Sequence, residues 1–366
     1  MSDPRIIPIV MPKWGLSMKE GTLTGWLVEP GKTIAAGEAI LEVETDKIAG
    51  AFESTDSGLL RRAVGVAGTT YPVKALLGVI APAEVTDAAI DEYVGTYVTP
   101  PVEDEEAAGP QFEWVEIGIG KLRYAKRGTG GDAVILLHGF GGDLDNWLFN
   151  IDALAERHTV YALDLPGHGQ SVKAVATPTL DTMVAAVSEF TRTLGISSAH
   201  FIGHSMGGSI AMQIAARSPG AAKSLTLICS AGMGNEIGPY VEDFVAAESR
   251  RNIKPVLESL FANTELVSRQ LVDDVLKYRR LDGVDAFLKF LAADLRQQDT
   301  PLRSVLAMEN PPPALVIWGK EDRVIPAAHA ENFPGAAVHV LEGAGHMVFM
   351  EKAGEVNGLI KRHIGA

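Results

Sequence analysis

The spacing of apolar residues divides the chain into two regions. Over about the first 83 residues, short apolar segments such as 23–28, 39–43 and 76–81 alternate with turns rich in glycine and proline. This alternation, without a helical period, predicts an all-β module. From residue 112 onward, continuous apolar strands alternate with segments of helical spacing, which predicts a mainly parallel sheet covered on both faces by helices.

A weak internal repeat supports the all-β prediction. Val28-Glu29-Pro30-Gly31 leads into the apolar run 39–43, and Val66-Ala67-Gly68 leads into a similar run at 76–80. Two similar halves predict a flattened sandwich with pseudo-twofold symmetry. Between them, the strand pattern breaks at Asp46-Lys47, which places Lys47 at a hairpin tip. By composition alone, Lys47 is a solvent-exposed turn lysine.

The second region carries polar, glycine-flanked motifs where its predicted strands end. Gly203-His204-Ser205-Met206-Gly207 is a G-x-S-x-G motif between a strand and a helix, and its glycines allow the sharp turn that exposes a serine hydroxyl. Those five residues alone are also compatible with an ordinary Gly-rich turn. Other strand ends carry His138-Gly139-Phe140-Gly141-Gly142, then Asp322, then His346. Since active groups gather at the carboxyl ends of parallel strands, these motifs are predicted to converge.

The order Ser, Asp, His together with the elbow resembles the α/β-hydrolases, and the resemblance covers residues 112–366. It implies that His346 removes the proton of Ser205 and that Asp322 orients the imidazole. The N–H groups of Phe140 and Met206 are expected to form the oxyanion hole, worth roughly 3–4 kcal/mol per donor. His138 is expected to support the oxyanion loop and His168 to pack in its own loop.

Residues 232–310 interrupt the second region with a charged helical stretch, which the resemblance identifies as a lid over the acyl pocket. Solvated helix faces explain its cations, and the same cations are candidates to receive the phosphates of coenzyme A: Arg250, Arg251, Lys254, Arg279 and Arg280. The single cysteine, Cys229, closes an apolar run and is predicted to be a buried apolar residue. No histidine spacing indicates a metal site, and none is expected.

The first region resembles a lipoyl domain of the 2-oxo acid dehydrogenase complexes, over residues 4–83. The resemblance rests on Met11-Pro12-Lys13-Trp14-Gly15, on Gly31 and on Glu44-Thr45-Asp46-Lys47. It implies that Lys47 carries lipoate in amide linkage. Biotin carriers place methionines beside their lysine, whereas Asp46 and Ile48 flank Lys47, so lipoate is favoured over biotin.

Residues 84–111 are predicted to form an acidic linker containing alanine and proline, because this composition buries little apolar surface. A short helix within residues 87–94 remains an open alternative. Acyltransferase components of the familiar complexes usually carry a small basic subunit-binding domain at this place, and the sequence has none. How partner enzymes dock, and the oligomeric state, are therefore left open.

Composition narrows the classes of partner. The 366 residues exceed what one core usually supports, which agrees with two domains. The formal net charge of −14 disfavours nonspecific binding to nucleic acid or anionic lipid. The sequence has no long apolar span and no secretion signal at its N-terminus, so a cytoplasmic protein without a membrane role is expected.

The joined architecture resembles the dihydrolipoamide acetyltransferase components of bacterial acetoin dehydrogenase systems. That resemblance implies acetyl transfer from the arm on Lys47 to coenzyme A. It also implies two partners, a thiamin-dependent acetoin dehydrogenase component and dihydrolipoamide dehydrogenase. The H-x-x-x-D-G motif of standard acyltransferase domains is absent.

Two alternatives remain open. One is a serine hydrolase, either a thioesterase or a C–C bond hydrolase, with an attached carrier domain. The other is a carrier with a hydrolase-like scaffold, which a complete triad disfavours.

Overall fold

The computed structural model describes residues 3, 5–12, 18–35, 37–45, 49–54, 56–100, 112–296 and 301–365. The chain forms two compact units, Met1–Pro110 and Gln111–Ala366. None of the helices in these described ranges has both the length and the apolar character needed to cross a bilayer.

The first unit is an antiparallel β-sandwich. Its strands are β1 (Ile7–Val10), β2 (Glu20–Trp26), β3 (Thr33–Ile34), β4 (Ala39–Glu44), β5 (Ala49–Glu53), β6 (Gly58–Ala63), β7 (Thr69–Pro72) and β8 (Leu76–Ile80). They form two four-stranded sheets, in the orders β1-β8-β6-β3 and β5-β4-β2-β7. Side chains from both sheets, including Leu23, Ile34, Val43 and Leu77, are fully buried in one core. This confirms the predicted all-β fold.

One helix of the first unit, α1 (Asp87–Thr96), follows the last strand and packs on the β-sandwich. Ile90 is fully buried against Val79 and Val85. Arg61 donates to the carbonyl oxygens of Pro82 (2.7 Å) and Val85 (2.9 Å) and forms an ion pair with Asp87 (2.9 Å). Of the predicted linker, residues 84–96, which end with α1, are therefore ordered and joined to the β-sandwich. Residues 101–111 lie outside the described ranges.

The second unit is built on one eight-stranded sheet. Its strands are β9 (Phe112–Ile117), β10 (Gly120–Arg127), β11 (Ala133–Leu137), β12 (Thr159–Leu163), β13 (Ala199–His204), β14 (Ala222–Ile228), β15 (Ala314–Gly319) and β16 (Ala337–Leu341). The strand order is β16-β15-β14-β13-β11-β12-β10-β9. The six strands from β11 to β16 are parallel, while β9 and β10 form an antiparallel hairpin at one edge. The mainly parallel sheet predicted from the sequence is confirmed.

Helices flank this sheet and fill the insertion after β14. The flanking helices are α2 (Ile151–Ala155), α3 (Leu180–Thr193), α4 (Met206–Arg217), α10 (Val348–Glu351) and α11 (Ala353–Ile364). The insertion contains α5 (Tyr240–Ala246), α6 (Arg250–Glu258), α7 (Arg269–Arg279), α8 (Val284–Leu295) and α9 (Pro301–Leu306). Three short 3₁₀ helices lie at Leu144–Trp147, Thr264–Leu266 and Ala327–Asn332.

One predicted helix is shorter than expected. The pattern predicts a helix over 145–157, but the structure has a 3₁₀ turn at Leu144–Trp147 and then only α2. Between them, the Asn150 side chain turns inward and donates to the Phe349 carbonyl oxygen (3.1 Å) and to the Asn357 side chain (2.8 Å). These tertiary hydrogen bonds to the C-terminal segment interrupt the helix.

Candidate active site

Ser205 occupies a strained turn between β13 and α4. Its φ of 52° and ψ of −117° lie outside the regions that side-chain-bearing residues usually adopt, at a cost of about 1–3 kcal/mol. The turn is held by hydrogen bonds from Ser205 N to Ile228 O (2.9 Å) and from Ala231 N to Ser205 O (3.0 Å). A Cβ added at Gly203 would lie 2.4 Å from the Gly207 backbone, and one at Gly207 would lie 2.1 Å from Leu137 O. Both glycines are therefore sterically required.

Asp322 and His346, which follow β15 and β16, form a hydrogen-bonded pair. The distance from His346 Nδ1 to Asp322 Oδ2 is 2.8 Å, and both side chains are almost completely buried. Since a carboxylate only accepts, Nδ1 carries the proton and Nε2 is left as the basic nitrogen. His204, which precedes Ser205, contacts the same loop through its Nε2 and the His346 carbonyl oxygen (3.0 Å).

The Asp322 carboxyl is ionised despite its burial. Burial opposes the charge, but the charge and hydrogen bond of His346 and the N–H groups of Val324 (2.8 Å) and Ile325 (2.9 Å) outweigh it. Together they hold the pKa of Asp322 below its usual value. A fixed negative charge therefore faces the imidazole from the side opposite Nε2.

Two buried histidines fix the loop that carries Phe140. His138 Nε2 accepts a hydrogen bond from Leu165 N (3.0 Å), and its Nδ1 lies 2.8 Å from Gly139 O. His168 Nε2 accepts a hydrogen bond from Gly141 N (3.3 Å). Burial lowers the pKa of His138 to about 4 and that of His168 well below its ordinary value. Both side chains are therefore neutral at pH 7, and their contacts agree with the supporting and loop-packing roles expected from the sequence.

A small apolar pocket brings Ser205 together with the two expected oxyanion residues, Phe140 and Met206. Tyr240 also lines it, and the remaining lining residues are apolar: Ala231, Ile237, Val241, Leu295, Val324 and Ile325. Burial raises the pKa of Tyr240, so its hydroxyl is protonated at all working pH values. Such a lining suits a short acyl chain and offers few groups that bind water.

The sequence pattern did not identify Tyr240 and the other lid residues of this pocket, because the lid carries no motif that distinguishes its inner from its outer face. Glu351 was also missed. It follows His346 by five residues and receives three backbone hydrogen bonds, described below. In the sequence, the only signal for these hydrogen bonds is the position of Glu351 shortly after the His346 loop.

The five lid cations proposed as phosphate ligands differ in availability. Arg279 is buried, pairs with Asp285 (2.8 Å) and donates to Val245 O (3.0 Å), so of the five candidates it is the one whose charge is used inside the lid. Arg250 forms an ion pair with Asp273, and Lys254 lies 3.4 Å from Glu258. Arg251 and Arg280 are exposed and have no side-chain partner among the described residues.

Cys229 is fully buried beside Asp322 and His346, and its burial agrees with the prediction from its apolar surroundings. Its sulfur and the ligand atoms of Asp322 and His346 lie within 4.8 Å of one another. Burial, and then the charge of Asp322, raise the pKa of the thiol well above its ordinary value. A protonated thiol is a poor nucleophile and a poor metal ligand.

The predicted carrier lysine, Lys47, lies outside the described residues, but the hairpin that contains it is described on both sides. In the ladder between β4 and β5, Glu44 pairs with Ala49, so the connection between the strands consists of residues 45–48. A lysine amine in this connection has the chemistry needed for an amide to lipoate. The hairpin is thus compatible with a prosthetic arm.

Comparisons with known proteins agree with both units. A family model of the alpha/beta hydrolase fold matches residues 132–353, and one described as biotin-requiring enzyme, of the biotin/lipoyl type, matches residues 7–80. A meta-cleavage product hydrolase from Pseudomonas fluorescens has a solved structure with a TM-score of 0.64, at 23% identity, over 69% of this chain and 97% of that one. At this identity, the likeness concerns the fold alone.

Two curated relatives match the whole architecture. A protein of Cupriavidus necator is 52% identical over an alignment of 370 positions that covers 99% of this chain and 98% of the relative. A protein of Pseudomonas putida is 46% identical over an alignment of 361 positions that covers 96% of this chain and 97% of the relative. Both are named dihydrolipoyllysine-residue acetyltransferase component of acetoin cleaving system.

Proposed function

This chain belongs to the dihydrolipoyllysine-residue acetyltransferase components of acetoin cleaving systems, and from that membership we propose that it transfers acetyl groups through an acyl-enzyme on Ser205. The chain is an acyltransferase with covalently bound lipoate, and it moves an acetyl group from the lipoyl arm to coenzyme A. The observation that carries the mechanism is the Asp322–His346 hydrogen bond, since Val324 and Ile325, whose N–H groups bind Asp322, also line the pocket of Ser205.

Lys47 is the proposed attachment site, on the basis of its motif and its place in the β4–β5 connection. Bound there, the lipoyl group would supply the acetyl group as a thioester. The chain's own task at Lys47 is only to present the amine.

In the first half-reaction, Ser205 Oγ attacks the acetyl carbonyl carbon while His346 Nε2 takes its proton. The N–H groups of Phe140 and Met206 hold the oxyanion. His346 Nε2 would then give this proton to the sulfur that leaves as the C–S bond breaks. Asp322 stabilises the imidazolium between these two steps.

In the second half-reaction, His346 takes the proton of the coenzyme A thiol and the sulfur attacks the acetyl-serine. Breaking the C–O bond returns the proton to Ser205 Oγ. The apolar lining of the pocket favours a thiol over water as the acceptor, because few groups there position a water molecule. Arg251 and Arg280 are the lid cations still available for the phosphates of coenzyme A.

The name of the relatives places this chain in a system with other components. We propose that these are a thiamin-dependent component that cleaves acetoin and a dihydrolipoamide dehydrogenase that reoxidises the arm. The system is proposed to act in the cytoplasm, where coenzyme A is found.

The test uses lipoylated protein whose reduced arm carries a labelled acetyl group. With coenzyme A, the wild type should form labelled acetyl-CoA, and Ser205→Ala should lower that rate roughly a thousandfold or more. Ser218→Ala, at the exposed end of α4, is the matched control and should match the wild type. Acetyl-CoA formed equally well by Ser205→Ala would rule out the acyl-serine, and labelled acetate as the main product would identify a hydrolase.

A further inference from the structure

The loop that carries His346 lies directly against the base of the lid. Met347 N donates to Leu260 O (3.0 Å), and a Cβ added at Gly345 would lie 2.8 Å from Ala262 N. Residues 260–263 follow α6 in the lid insertion, whereas 342–347 follow β16. Backbone thus packs on backbone between two segments that are distant in sequence.

One carboxylate joins these two segments. Glu351 Oε1 accepts from Ala262 N (2.9 Å) and Asn263 N (3.0 Å), and its Oε2 accepts from Gly345 N (2.7 Å). Gly345 directly precedes His346, and Ala262 and Asn263 belong to the lid. Burial raises the pKa of Glu351, and the same three N–H groups oppose that rise.

An ionised carboxylate fits this position for a specific chemical reason. It presents acceptors on both oxygens, and hydrogen bonds to an ionised acceptor are shorter and stronger than neutral ones. An amide has one acceptor oxygen, so its NH2 group would face an N–H donor on one of the two sides. Aspartate keeps the charge but lacks the length to reach both segments.

We propose that Glu351 is a positioning residue that sets His346 in place and ties the lid to the catalytic loop. The inference rests on the proposed role of His346 as the base for Ser205. Both half-reactions use the same imidazole beneath the same lid, which supplies Tyr240, Val241 and Leu295 to the pocket. A single link therefore aligns the base with the wall of the acyl pocket.

Glu321 provides a comparison within the same loop. Its Oε2 accepts from Ala344 N (3.0 Å), so it supports the catalytic loop. No hydrogen bond from Glu321 to the lid is among those of the described residues. Glu355, exposed on α11, offers the same loss of charge without either contact.

The experiment measures Ser205 acylation in full-length lipoylated protein, as the burst of nitrophenol released from p-nitrophenyl acetate. Hydrogen exchange of segments 260–263 and 343–347 is followed in parallel. Glu351→Gln should slow the burst roughly tenfold to a hundredfold at saturating ester and speed exchange in both segments. Glu321→Gln should speed exchange in 343–347 alone, and Glu355→Gln should match the wild type in both measurements.

Glu351→Asp separates position from charge, because it should be slow in the burst although it keeps the carboxylate. A full-rate burst in Glu351→Asp, or Glu351→Gln behaving like Glu355→Gln, would overturn the inference. Absence of a burst in the wild type would instead count against the acyl-serine mechanism itself, so the two failures are distinguishable.

Discussion

The two units of this chain obtain their chemistry in opposite ways. In the first, the candidate group is one lysine in the connection between β4 and β5, and the proposed reaction requires no acid, base or nucleophile from the sandwich. In the second, the candidate site combines residues after β11, β13, β15 and β16, and several of them are buried. The carrier depends on a local motif, whereas the catalytic site depends on the whole sheet.

This difference predicts that the two units tolerate amino-acid substitutions and acid differently. A carrier needs an exposed lysine on a recognisable hairpin, so most of its other residues serve the stability of the fold. The catalytic unit needs strained and buried polar groups, such as Ser205 at φ 52° and the neutral His138, which lower stability in exchange for geometry. The predictions below test this contrast, beginning with the largest expected effect.

Lys47→Arg should abolish arm-dependent acetyl transfer, because a guanidinium does not form the amide with lipoate. The ester burst of Ser205 should be unchanged, since the two sites lie in separate units. Mass spectrometry for the lipoyl group and both activity assays would check this. Lys32→Arg, in the same unit, is the control and should keep the arm, and transfer retained by Lys47→Arg would place the arm elsewhere.

Acid should weaken the second unit specifically, because all nine histidines follow residue 137. His138 has a pKa of about 4 when folded and about 6.5 when unfolded, so between these values only the unfolded chain binds the proton. Stability is therefore lost as the pH falls from about 6.5 to about 4, by about 3 kcal/mol for this group. His168 and His204, whose pKa values burial also lowers, act in the same direction.

Two buried carboxyls oppose that trend. Burial raises the pKa of Asp143 to about 7 and also raises the pKa of Glu351, so their contributions to stability grow as the pH falls. Burial lowers the pKa of His200, His329 and His363 as well, so six histidines act against two carboxyls and we expect a net loss. Calorimetry of the full chain from pH 7 to pH 4 should show the transition of the second unit moving to lower temperature by more than that of the first, and equal shifts would contradict the contrast.

Arg61→Ala should loosen α1 without affecting acetyl transfer. The Arg61 side chain is mostly buried and holds two carbonyl oxygens and Asp87, so the loss is expected to be about 1.5–3 kcal/mol. Hydrogen exchange across Asp87–Thr96 measures it. Arg62→Ala, whose partners Asp87 and Asp91 are exposed, should cost at most about 1 kcal/mol. Equal effects of the two variants would mean that Ile90 holds the helix by itself.

Much of the fold could be predicted from the sequence, and the candidate triad was selected from it because each of the three residues follows an apolar strand in a glycine-flanked turn. The structure pairs Asp322 with His346, while the role of Ser205 as their nucleophile stays a prediction. The fold of the lipoyl unit could be predicted equally well, since its motif is local and its repeat lies within one short region of the sequence.

The contacts that depend on packing could not be predicted. Residues 85–97 have the composition of a linker, and their tertiary contacts, above all the burial of Ile90 and the Arg61 hydrogen bonds, make them part of the sandwich. Arg279 looks like any lid cation, although the lid folds around it. Glu351 is one glutamate among many until the lid base lies beside it. Each of these depends on partners distant in the sequence, so local pattern carries no signal for them.

The burial of Cys229 has a practical consequence for chemists who work with this protein. The chain has one cysteine, and in the folded state its sulfur is out of reach of solvent. A thiol reagent added to the reduced native protein should therefore titrate the arm alone, and the additional thiol that appears on denaturation reports the polypeptide. Because a reduced arm carries two thiols and the chain has one cysteine, half the ratio of the two readings gives the fraction of molecules that carry lipoate, with the chain as its own internal standard.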